Sequence, residues 1–268
     1  MNIDGKKIKD KVLNKLKSEI GSEKLRLVGI LVGDHPGSRK FMELKEKAAK
    51  EIGVDFKLYE FPEDISTTKL RDELNKIAKQ GVSHGIIIEL PLPEQINTQY
   101  ILNTIPIEKD VDVLSTKAQG AFFVGKSNIL PPAVEAVRIV FEEHDIDIKG
   151  KDIAIFGYGL LIGKPIANWL AMQGASVFVI NEFTKHPEEI SKEADIIISG
   201  VGQSGLIKED MVKKGVVVVD FGYSKDGKGD VDFDSVSKKA SLITPVPGGM
   251  GPVVVAAVLK NLRKLNKK

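Results

Sequence analysis

Residues 153–165 constrain the fold of this chain more than any other stretch. Their sequence, IAIFGYGLLIGKP, is an apolar run that breaks into three glycines and then reaches a proline. Gly157 permits a sharp turn, Gly159 lets a pyrophosphate approach the backbone, and Gly163 allows a helix to pack closely. Pro165 suits the first turn of a helix, where its missing N–H costs nothing. The stretch therefore predicts a strand, a tight turn and a helix N-terminus that favours phosphate, as in a dinucleotide-binding site.

The rest of the chain has to support this prediction, because the spacing G-x-G-x-x-x-G is one residue wider than the common fingerprint. Short apolar segments alternate with amphipathic ones, which favours parallel sheets covered by helices. The predicted strands are 25–32, 54–59, 84–90, 153–156, 176–180, 195–199 and 216–220. The predicted helices are 6–20, 38–52, 67–80, 95–102, 132–144 and 253–265. A Gly-rich passage runs through Gly120 and Gly125, and residues 243–252 are expected to be irregular. The alternation of strands and helices predicts the fold class α/β with two doubly wound domains.

Composition excludes several classes of partner and site. The chain has 268 residues and a formal net charge of +2, from 39 basic and 37 acidic residues, so no strong field favours nucleic acid or an anionic membrane. It has no cysteine, which excludes disulfides and thiolate chemistry. No apolar run approaches ~20 residues, and the charged N-terminus lacks the apolar core of a secretory signal. We expect a cytoplasmic protein with a small-molecule partner.

Phe41 and Lys45 are four residues apart, so they share a face of the predicted helix. The ring could lie against a flat heterocycle while the lysine acts on a polar atom beside it. Other lysines crowd the same segment, and lysine is mostly exposed in folded proteins. The residues alone therefore favour a solvated Lys45 over a ligand contact.

Two further passages carry polar groups near apolar segments. Glu89 is the only charge in residues 85–93 (GIIIELPLP), and it lies at the end of a strand, where open parallel sheets bind ligands. A carboxylate there is either paired or functional. Lys109, Asp110 and Asp112 form a second cluster, which fits a turn capped by Asp side chains as well as it fits a ligand contact.

Residues 244–252 (TPVPGGMGP) contain prolines, which restrict the backbone, and glycines, which leave it conformationally free. Two prolines stiffen the approach, and the glycines suit close contact with a ligand or another domain. Such a stretch is uncommon in a simple connector, so it favours a functional loop.

Taken in order, these passages resemble the bifunctional methylenetetrahydrofolate dehydrogenase/cyclohydrolase family. The most specific are residues 85–93, KDVD at 109–112, the glycine turn, GDV at 229–231 and residues 244–252. The likeness runs from Ile3-Asp4-Gly5-Lys6 to the last helix.

The resemblance implies an enzyme that oxidises 5,10-methylenetetrahydrofolate with a nicotinamide cofactor and hydrolyses the methenyl product to 10-formyltetrahydrofolate. It implies a folate-binding catalytic domain, residues 1–118 completed by the C-terminal helix within 252–268. A Rossmann-type NAD(P)-binding domain, residues 119–251, is inserted between them. Members are typically homodimers through the cofactor domain, and the chemistry requires no metal.

The resemblance also assigns site residues. The catalytic positions are Lys45, Glu89 and Asp112, of which Asp112 would hold the pterin edge. The substrate-binding positions are Phe41, Leu90, Pro91, Pro247, Gly248 and Gly249. The cofactor-binding positions are Gly157, Tyr158, Gly159, Leu160, Ile162, Gly163, Pro165, Asn181, Glu182, Gly200, Val201 and Gly202. A lysine in the folate cleft can bias the charge of the bridge nitrogen, and then position or deprotonate the attacking water.

Several positions depart from the family pattern. Phe41 stands where a tyrosine is usual, which keeps the ring but removes a hydroxyl. Glu89 replaces a glutamine, and a carboxylate beside Lys45 favours its ammonium form, so we expect a shifted pH optimum with both steps retained. Residues 131–134 (PPAV) lie where the family has Pro-Cys-Thr-Pro, which weakens any binding role for that segment.

Cofactor choice rests on two opposed arguments. Glu182 lies about 20 residues beyond the glycines, just past a strand, where an acidic residue binds a ribose hydroxyl and disfavours a 2′-phosphate. Resemblance to microbial members favours NADP, with Lys185 as an available cation. We expect NADP and keep NAD as the alternative.

Two other functions stay open at this point. One is a dehydrogenase without hydrolase activity, acting on a related pterin carrier. The other is a folate- or nucleotide-binding protein that has lost catalysis, which the changes at Phe41 and Glu89 would suit and the retention of Lys45 opposes.

Overall fold

The computed structural model describes residues 1–79, 81 and 83–267. Its strands are β1 (Arg26–Val32), β2 (Asp55–Phe61), β3 (Gly85–Ile88), β4 (Asp152–Phe156), β5 (Ser176–Ile180), β6 (Ile196–Ser199), β7 (Val217–Asp220) and β8 (Leu242–Ile243). Its α-helices are α1 (Gly5–Ile20), α2 (Pro36–Glu51), α3 (Thr67–Lys79), α4 (Thr98–Leu102), α5 (Thr116–Phe123), α6 (Pro132–Glu143), α7 (Gly163–Met172), α8 (Pro187–Glu193), α9 (Phe233–Val236) and α10 (Met250–Leu265). Ile107–Lys109 and Glu209–Met211 form short 3-10 turns.

The chain forms two compact units, one of which comprises Lys11–Pro132 and the chain from Val255. Its parallel sheet has the strand order β2-β1-β3, with Ile30 of β1 opposite Ile88 of β3. The last helix supplies part of its core, because Val258 and Leu262 of α10 belong to the buried cluster that holds α1 and β1. Burying each of these side chains contributes about 2 kcal/mol.

The other unit comprises Met1–Asp10 and Ala133–Val254. Its sheet is parallel throughout, in the order β5-β4-β6-β7-β8. The chain runs from β4 to β5 on one side and then crosses to β6 on the other. The ends of β4 and β6 therefore border the crevice at which open α/β sheets bind ligands.

These units confirm the predicted fold class, two α/β domains with parallel sheets. The predicted domains divide the chain at 118/119 and 251/252. The compact units divide it elsewhere, at 10/11, 132/133 and 254/255. Residues 1–10 join the second unit because the Ile3 N–H donates to the Ile243 carbonyl and the Gly5 N–H to the Gly248 carbonyl.

The Gly-rich passage through Gly120 and Gly125 contains the helix α5. Ser115 caps this helix, since its hydroxyl accepts from the Ala118 N–H at 3.3 Å, and Gly120 lies inside the helix. Only Gly125 follows the helix in a left-handed conformation, with φ 69°.

Other predicted boundaries also shift. Residues 243–252 are irregular only between β8 and α10, because Gly251 and Pro252 fall in the first turn of α10, where proline is tolerated. The helix predicted at 95–102 begins at Thr98, after Asn97 caps it by accepting from the Tyr100 N–H at 3.0 Å. The helix predicted at 67–80 is α3, and Gln80 lies outside the described residues. Within the part of the chain that is described, no helix is both long enough and apolar enough to cross a bilayer.

Candidate active site and cofactor site

Lys45 is buried on α2 and paired with Glu89. Its amine lies 2.7 Å from a Glu89 carboxylate oxygen, and the two side chains are only 9% and 10% exposed. Glu89 directly follows β3, and its N–H still donates to the Ile30 carbonyl at 3.0 Å, so the strand fixes its position. The interpretation of Lys45 as a solvated lysine is therefore wrong, whereas its neighbours Lys40, Lys47 and Lys50 are exposed.

Phe41 lies one helical turn before Lys45 on the same face, as predicted. Its ring centroid is 5.8 Å from the Lys45 amine, and the ring packs at the edge of the apolar core. Leu90 and Pro91 continue the chain beyond Glu89 through a cis peptide bond, with Leu90 partly buried and Pro91 exposed. A half-covered ring, a buried amine and an adjoining loop form a site that could accept a flat polar heterocycle.

The sequence of residues 109–112 fits either an Asp-capped turn or a ligand contact, and the structure shows which side chains serve each. Lys109 donates to the Ala78 carbonyl and the Ser83 hydroxyl, and the Asp110 carboxylate accepts from two backbone N–H groups. Both side chains thus hold the turn together. The Asp112 carboxylate has no hydrogen bond to any of the described residues, so it alone is available to a ligand.

Asp112 lies in the electrostatic field of the same site. Burial raises the pKa of Asp112 from 3.8 to about 7. The charge of Lys45 opposes this rise in pKa, and the charges of Asp110 and Glu89 add to it. The carboxyl group therefore changes its charge near neutral pH.

The glycine turn has the predicted shape. Gly157 is left-handed, with φ 89°, and its N–H donates to the Ile180 carbonyl of β5. A Cβ on Gly163 would lie 2.1 Å from the Gly157 carbonyl oxygen, so only glycine fits there, while space beside Gly159 is open. Pro165 is the third residue of α7.

The remaining residues of the turn vary in exposure. Tyr158 is 50% exposed, with the Lys164 amine 5.8 Å from its ring centroid. Leu160 and Ile162 are partly buried. Ile162 packs over Gly200, where a Cβ would lie 2.6 Å from Ile162 Cγ2. The turn after β4 and the loop after β6 are therefore neighbours.

Asp230 holds that second loop. Its carboxylate accepts from the Ser199 hydroxyl and from the N–H groups of Val201, Gly202 and Gln203, at 2.6 to 2.8 Å. Asp230 is fully buried. The N–H groups of Val201 and Gly202 are consequently occupied, so these predicted cofactor-binding residues present other atoms to a ligand.

Asp220 supports the same region from β7. Its carboxylate accepts from the Gly222 and Val231 N–H groups at 2.7 and 2.9 Å. Burial raises the pKa of Asp220 from 3.8 to about 6, and the hydrogen bond from the Val231 N–H offsets part of this rise in pKa. Glycine is required beside both aspartates. A Cβ on Gly222 would lie 2.2 Å from an Asp230 carboxylate oxygen, and a Cβ on Gly229 would lie 2.2 Å from an Asp220 carboxylate oxygen.

Asn181 and Glu182 follow β5. The Asn181 side chain accepts from the Phe183 N–H at 2.9 Å, and the Asn181 N–H donates to the Thr184 hydroxyl, so Asn181 shapes the turn. Glu182 and Lys185 are exposed. This turn lies at the same edge of the sheet as the glycine turn, because β4 and β5 are parallel neighbours.

The loop that contains Pro247, Gly248 and Gly249 belongs to the second unit. Pro247 follows a cis peptide bond, and Gly248 is left-handed with φ 104°. Pro247 and Gly248 are exposed, while Gly249 is buried against Gly5. A Cβ on Gly5 would lie 1.7 Å from the Gly249 carbonyl oxygen. The Ile3-Asp4-Gly5-Lys6 passage therefore anchors this loop.

Comparison with family profiles decides the classification. The tetrahydrofolate dehydrogenase/cyclohydrolase catalytic domain matches residues 3–112, and the NAD(P)-binding domain of the same family matches residues 131–268. The chain belongs to the tetrahydrofolate dehydrogenase/cyclohydrolase family. The resemblance stated from the sequence is thereby confirmed.

Individual members of the tetrahydrofolate dehydrogenase/cyclohydrolase family match over their whole length. The chain is 40% identical to the bifunctional protein FolD of Nautilia profundicola, over 99% of this chain and 96% of the relative. It is similar to the crystal structure of FolD from Campylobacter jejuni, with 37% identity, a TM-score of 0.94, and 99% and 98% of the two chains covered. The Trypanosoma brucei enzyme, solved with NADP and an inhibitor, is 30% identical with a TM-score of 0.94, over 99% and 96% of the chains.

Asp220 and Asp230 were not predicted from the sequence, although their buried carboxylates accept the backbone N–H bonds that hold the loops beside the glycine turn. The signal was present, because each aspartate stands near a glycine, in DFG at 220–222 and GDV at 229–231. Only the fold shows why, since the glycines make room for the buried carboxylates.

Proposed function

We propose that this protein is a bifunctional enzyme of one-carbon metabolism. It oxidises 5,10-methylenetetrahydrofolate to 5,10-methenyltetrahydrofolate with NADP, and it then hydrolyses the methenyl product to 10-formyltetrahydrofolate. The observation that carries the proposal is the buried Lys45–Glu89 pair beside Phe41 and Asp112, in a chain that matches bifunctional FolD proteins over their full length.

In the proposed site the pterin lies beside Phe41, and the Asp112 carboxylate accepts hydrogen bonds from its ring N–H groups. The unpaired carboxylate supports this role, because the N–H groups of a pterin would satisfy it. Leu90 and Pro91 complete the proposed folate contacts of this unit, and Pro247, Gly248 and Gly249 are proposed as substrate-binding residues of the other unit.

Lys45 acts in both proposed steps. NADP, when bound, would supply the acceptor for the hydride of the one-carbon bridge, and loss of that hydride leaves a delocalised positive charge on the bridge. The Glu89 carboxylate offsets the ammonium charge of Lys45, so the pair does not oppose that positive charge. In the second step Lys45 and Glu89 position a water molecule and take its proton as the water attacks the methenyl carbon. The short ion pair supports this role, since it holds the amine in one place.

The proposed cofactor site follows β4, β5 and β6. NADP supplies the hydride acceptor, its pyrophosphate lies at the glycine turn and the start of α7, and the open space beside Gly159 supports that placement. Glu182 and Lys185 compete in setting the preference between NAD and NADP, because one disfavours and the other favours a 2′-phosphate.

The test is product analysis of the purified protein with 5,10-methylenetetrahydrofolate and each cofactor. We expect reduced cofactor and 10-formyltetrahydrofolate, with a faster initial rate for NADP than for NAD. Accumulation of the methenyl product without hydrolysis would leave a dehydrogenase alone, and no cofactor reduction would refute the proposal.

We also propose a cytoplasmic homodimer that forms through the edge strand β5. This strand pairs only with β4 among the described residues, and it exposes Phe178 and Val179, with Phe183 84% exposed just beyond it. An unpaired apolar edge is a ready template for pairing with another copy. The functional domains are proposed to be residues 1–118 with 252–268, and 119–251.

A further inference from the structure

The turn that carries Asp112 is constrained on its C-terminal side. The Asp110 carboxylate accepts from the Leu114 N–H at 3.2 Å and the Ser115 N–H at 2.8 Å. Between them Val113 is left-handed, with φ 58°, a conformation that a β-branched residue rarely adopts. The backbone around Asp112 is thus held in a shape that it would not adopt by itself.

On the N-terminal side, the turn is held from a distant part of the chain. Asn261 of α10 donates from Nδ2 to the Val111 carbonyl at 2.9 Å and to the Leu130 carbonyl at 2.7 Å. The Val111 carbonyl belongs to the peptide group that leads into Asp112. The bond therefore fixes the plane of that peptide.

The surroundings of Asn261 indicate that an asparagine stands at this position because its side-chain amide donates these two hydrogen bonds. Asn261 is fully buried, and its Oδ1 has no hydrogen-bond partner among the described residues. A buried acceptor without a partner is costly, and a leucine of similar size would avoid that cost in a largely apolar helix. Helix packing alone thus favours a different residue.

We infer that Asn261 is a positioning residue for the folate substrate: by fixing the Val111–Asp112 peptide, it aims the Asp112 carboxylate at the pterin ring. The inference rests on the proposed function of Asp112. Asn261 itself touches no reacting atom, so its effect reaches the substrate only through Asp112.

The first experiment compares Asn261→Leu with Asn266→Leu. Both asparagines lie in the C-terminal part of the chain and donate to backbone carbonyls, but Asn266 donates to His84 and Leu262 and not to the peptide that leads into Asp112. We expect Asn261→Leu to raise the KM for 5,10-methylenetetrahydrofolate about tenfold, with the KM for NADP unchanged. Asn266→Leu should leave both values unchanged. An unchanged folate KM in a folded Asn261→Leu variant would overturn the inference.

A double-mutant cycle with Asp112→Asn separates positioning from a general structural effect. If Asn261 acts through Asp112, Asn261→Leu should not raise the folate KM further once Asp112 has been replaced. Equal fold-changes in both backgrounds would contradict the inference. If Asn261→Leu does not fold, Asn261→Ala, which removes both donors without adding volume, replaces it in the same cycle with the same expectation.

The wild-type protein distinguishes failure of the inference from failure of the proposed function. Turnover of 5,10-methylenetetrahydrofolate by the wild type, with no change of folate KM in either Asn261 variant, refutes the positioning role alone. Absence of turnover by the wild type refutes the function on which that role rests.

Discussion

At the scale of single residues, Lys45 and Glu89 form a buried ion pair in the candidate site. Burying an ion pair is costly, and breaking one by removing a partner typically destabilises a protein by about 3–5 kcal/mol. Glutamine at position 89 would still accept a hydrogen bond from the amine while carrying no charge. The pair therefore offers a direct way to test how charge at this position sets the pH response.

The first prediction concerns Glu89→Gln. The Glu89 carboxylate contacts the Lys45 amine, and this pair is proposed to handle the proton of the attacking water, so an uncharged amide at position 89 changes the charge beside that step. The pH profile of the cyclohydrolase rate should therefore differ from that of the wild type. The measurement is the pH profile of hydrolysis of 5,10-methenyltetrahydrofolate.

Glu94→Gln is the matched control, because Glu94 is exposed and lies just beyond the same strand. It should leave the profile unchanged. An unchanged profile in Glu89→Gln would discard the coupling between Glu89 and Lys45.

The second prediction concerns Asp112 and stability. Its pKa of about 7 lies above the ordinary 3.8, so between these values the folded protein holds a proton that the unfolded chain has released. Stability should therefore fall as pH rises from about 4 to 7, and Asp112→Asn should remove that loss. The difference in unfolding free energy between Asp112→Asn and the wild type should therefore be about 4 kcal/mol more favourable to the variant at pH 8 than at pH 4.

Urea unfolding at the two pH values measures this difference. Asp64→Asn, at an exposed carboxyl group in the same unit, should show no such pH dependence. Equal shifts for Asp112→Asn at both pH values would contradict the assigned pKa.

At the scale of elements, the loop after β6 depends on a side chain from a later segment. Asp230 satisfies three consecutive N–H groups of this loop as well as the Ser199 hydroxyl. The loop lies against the glycine turn through Ile162 and Gly200. Its shape should therefore determine how well the cofactor binds.

The third prediction follows from this arrangement. Asp230→Asn replaces one acceptor oxygen by a donor that faces other donors, which should cost about 2 kcal/mol in stability and weaken NADP binding about tenfold. The folate KM should change little. Fluorescence titration with NADP, alongside thermal unfolding, measures both effects.

Asp147→Asn is a suitable control, since Asp147 is exposed in the same unit and its carboxylate also accepts from a backbone N–H, that of Lys149. It should retain normal NADP affinity. Equal NADP affinity in Asp230→Asn and wild type would show that this loop does not shape the cofactor site.

Elements with a strong apolar pattern could be predicted from the sequence, and those set by single side chains could not. The strand at 176–180 and the helix over α2 follow from β-branched runs and helical spacing. The start of α4 depends on capping by Asn97, and α5 depends on Ser115, and such local hydrogen bonds leave little trace in hydrophobic periodicity.

The same division holds for the candidate site. Phe41 and Lys45 were placed on one face by their spacing, but the burial of Lys45 depends on Glu89, which is 44 residues away. Asp110 and Asp112 look equivalent in the sequence, and only the backbone of the turn shows which carboxylate is occupied. Asn261 has no local signal, because its partners are backbone carbonyls far along the chain.

At the scale of the whole molecule, the exposed edge strand β5 predicts the oligomeric state. Phe178→Lys would place a charge on the proposed interface, so we expect this variant to be monomeric where the wild type is dimeric. Light scattering coupled to size-exclusion chromatography measures the mass of each.

Phe123→Lys is the control, because Phe123 is 66% exposed on α5, in the other unit. It should leave the dimer intact. A Phe178→Lys variant with the same mass as the wild type would place the interface elsewhere, and a monomeric wild type would refute the dimer.

The proposed activity of the whole molecule depends on the buried amine of Lys45 acting on the folate. Lys45→Met, compared with Lys47→Met at an exposed position on the same helix, tests this most directly, with both products followed in one reaction. We predict that Lys45→Met loses hydrolysis of the methenyl intermediate while some hydride transfer to NADP remains, and that Lys47→Met behaves as the wild type. Hydrolysis at the wild-type rate in Lys45→Met would refute the proposed role of Lys45.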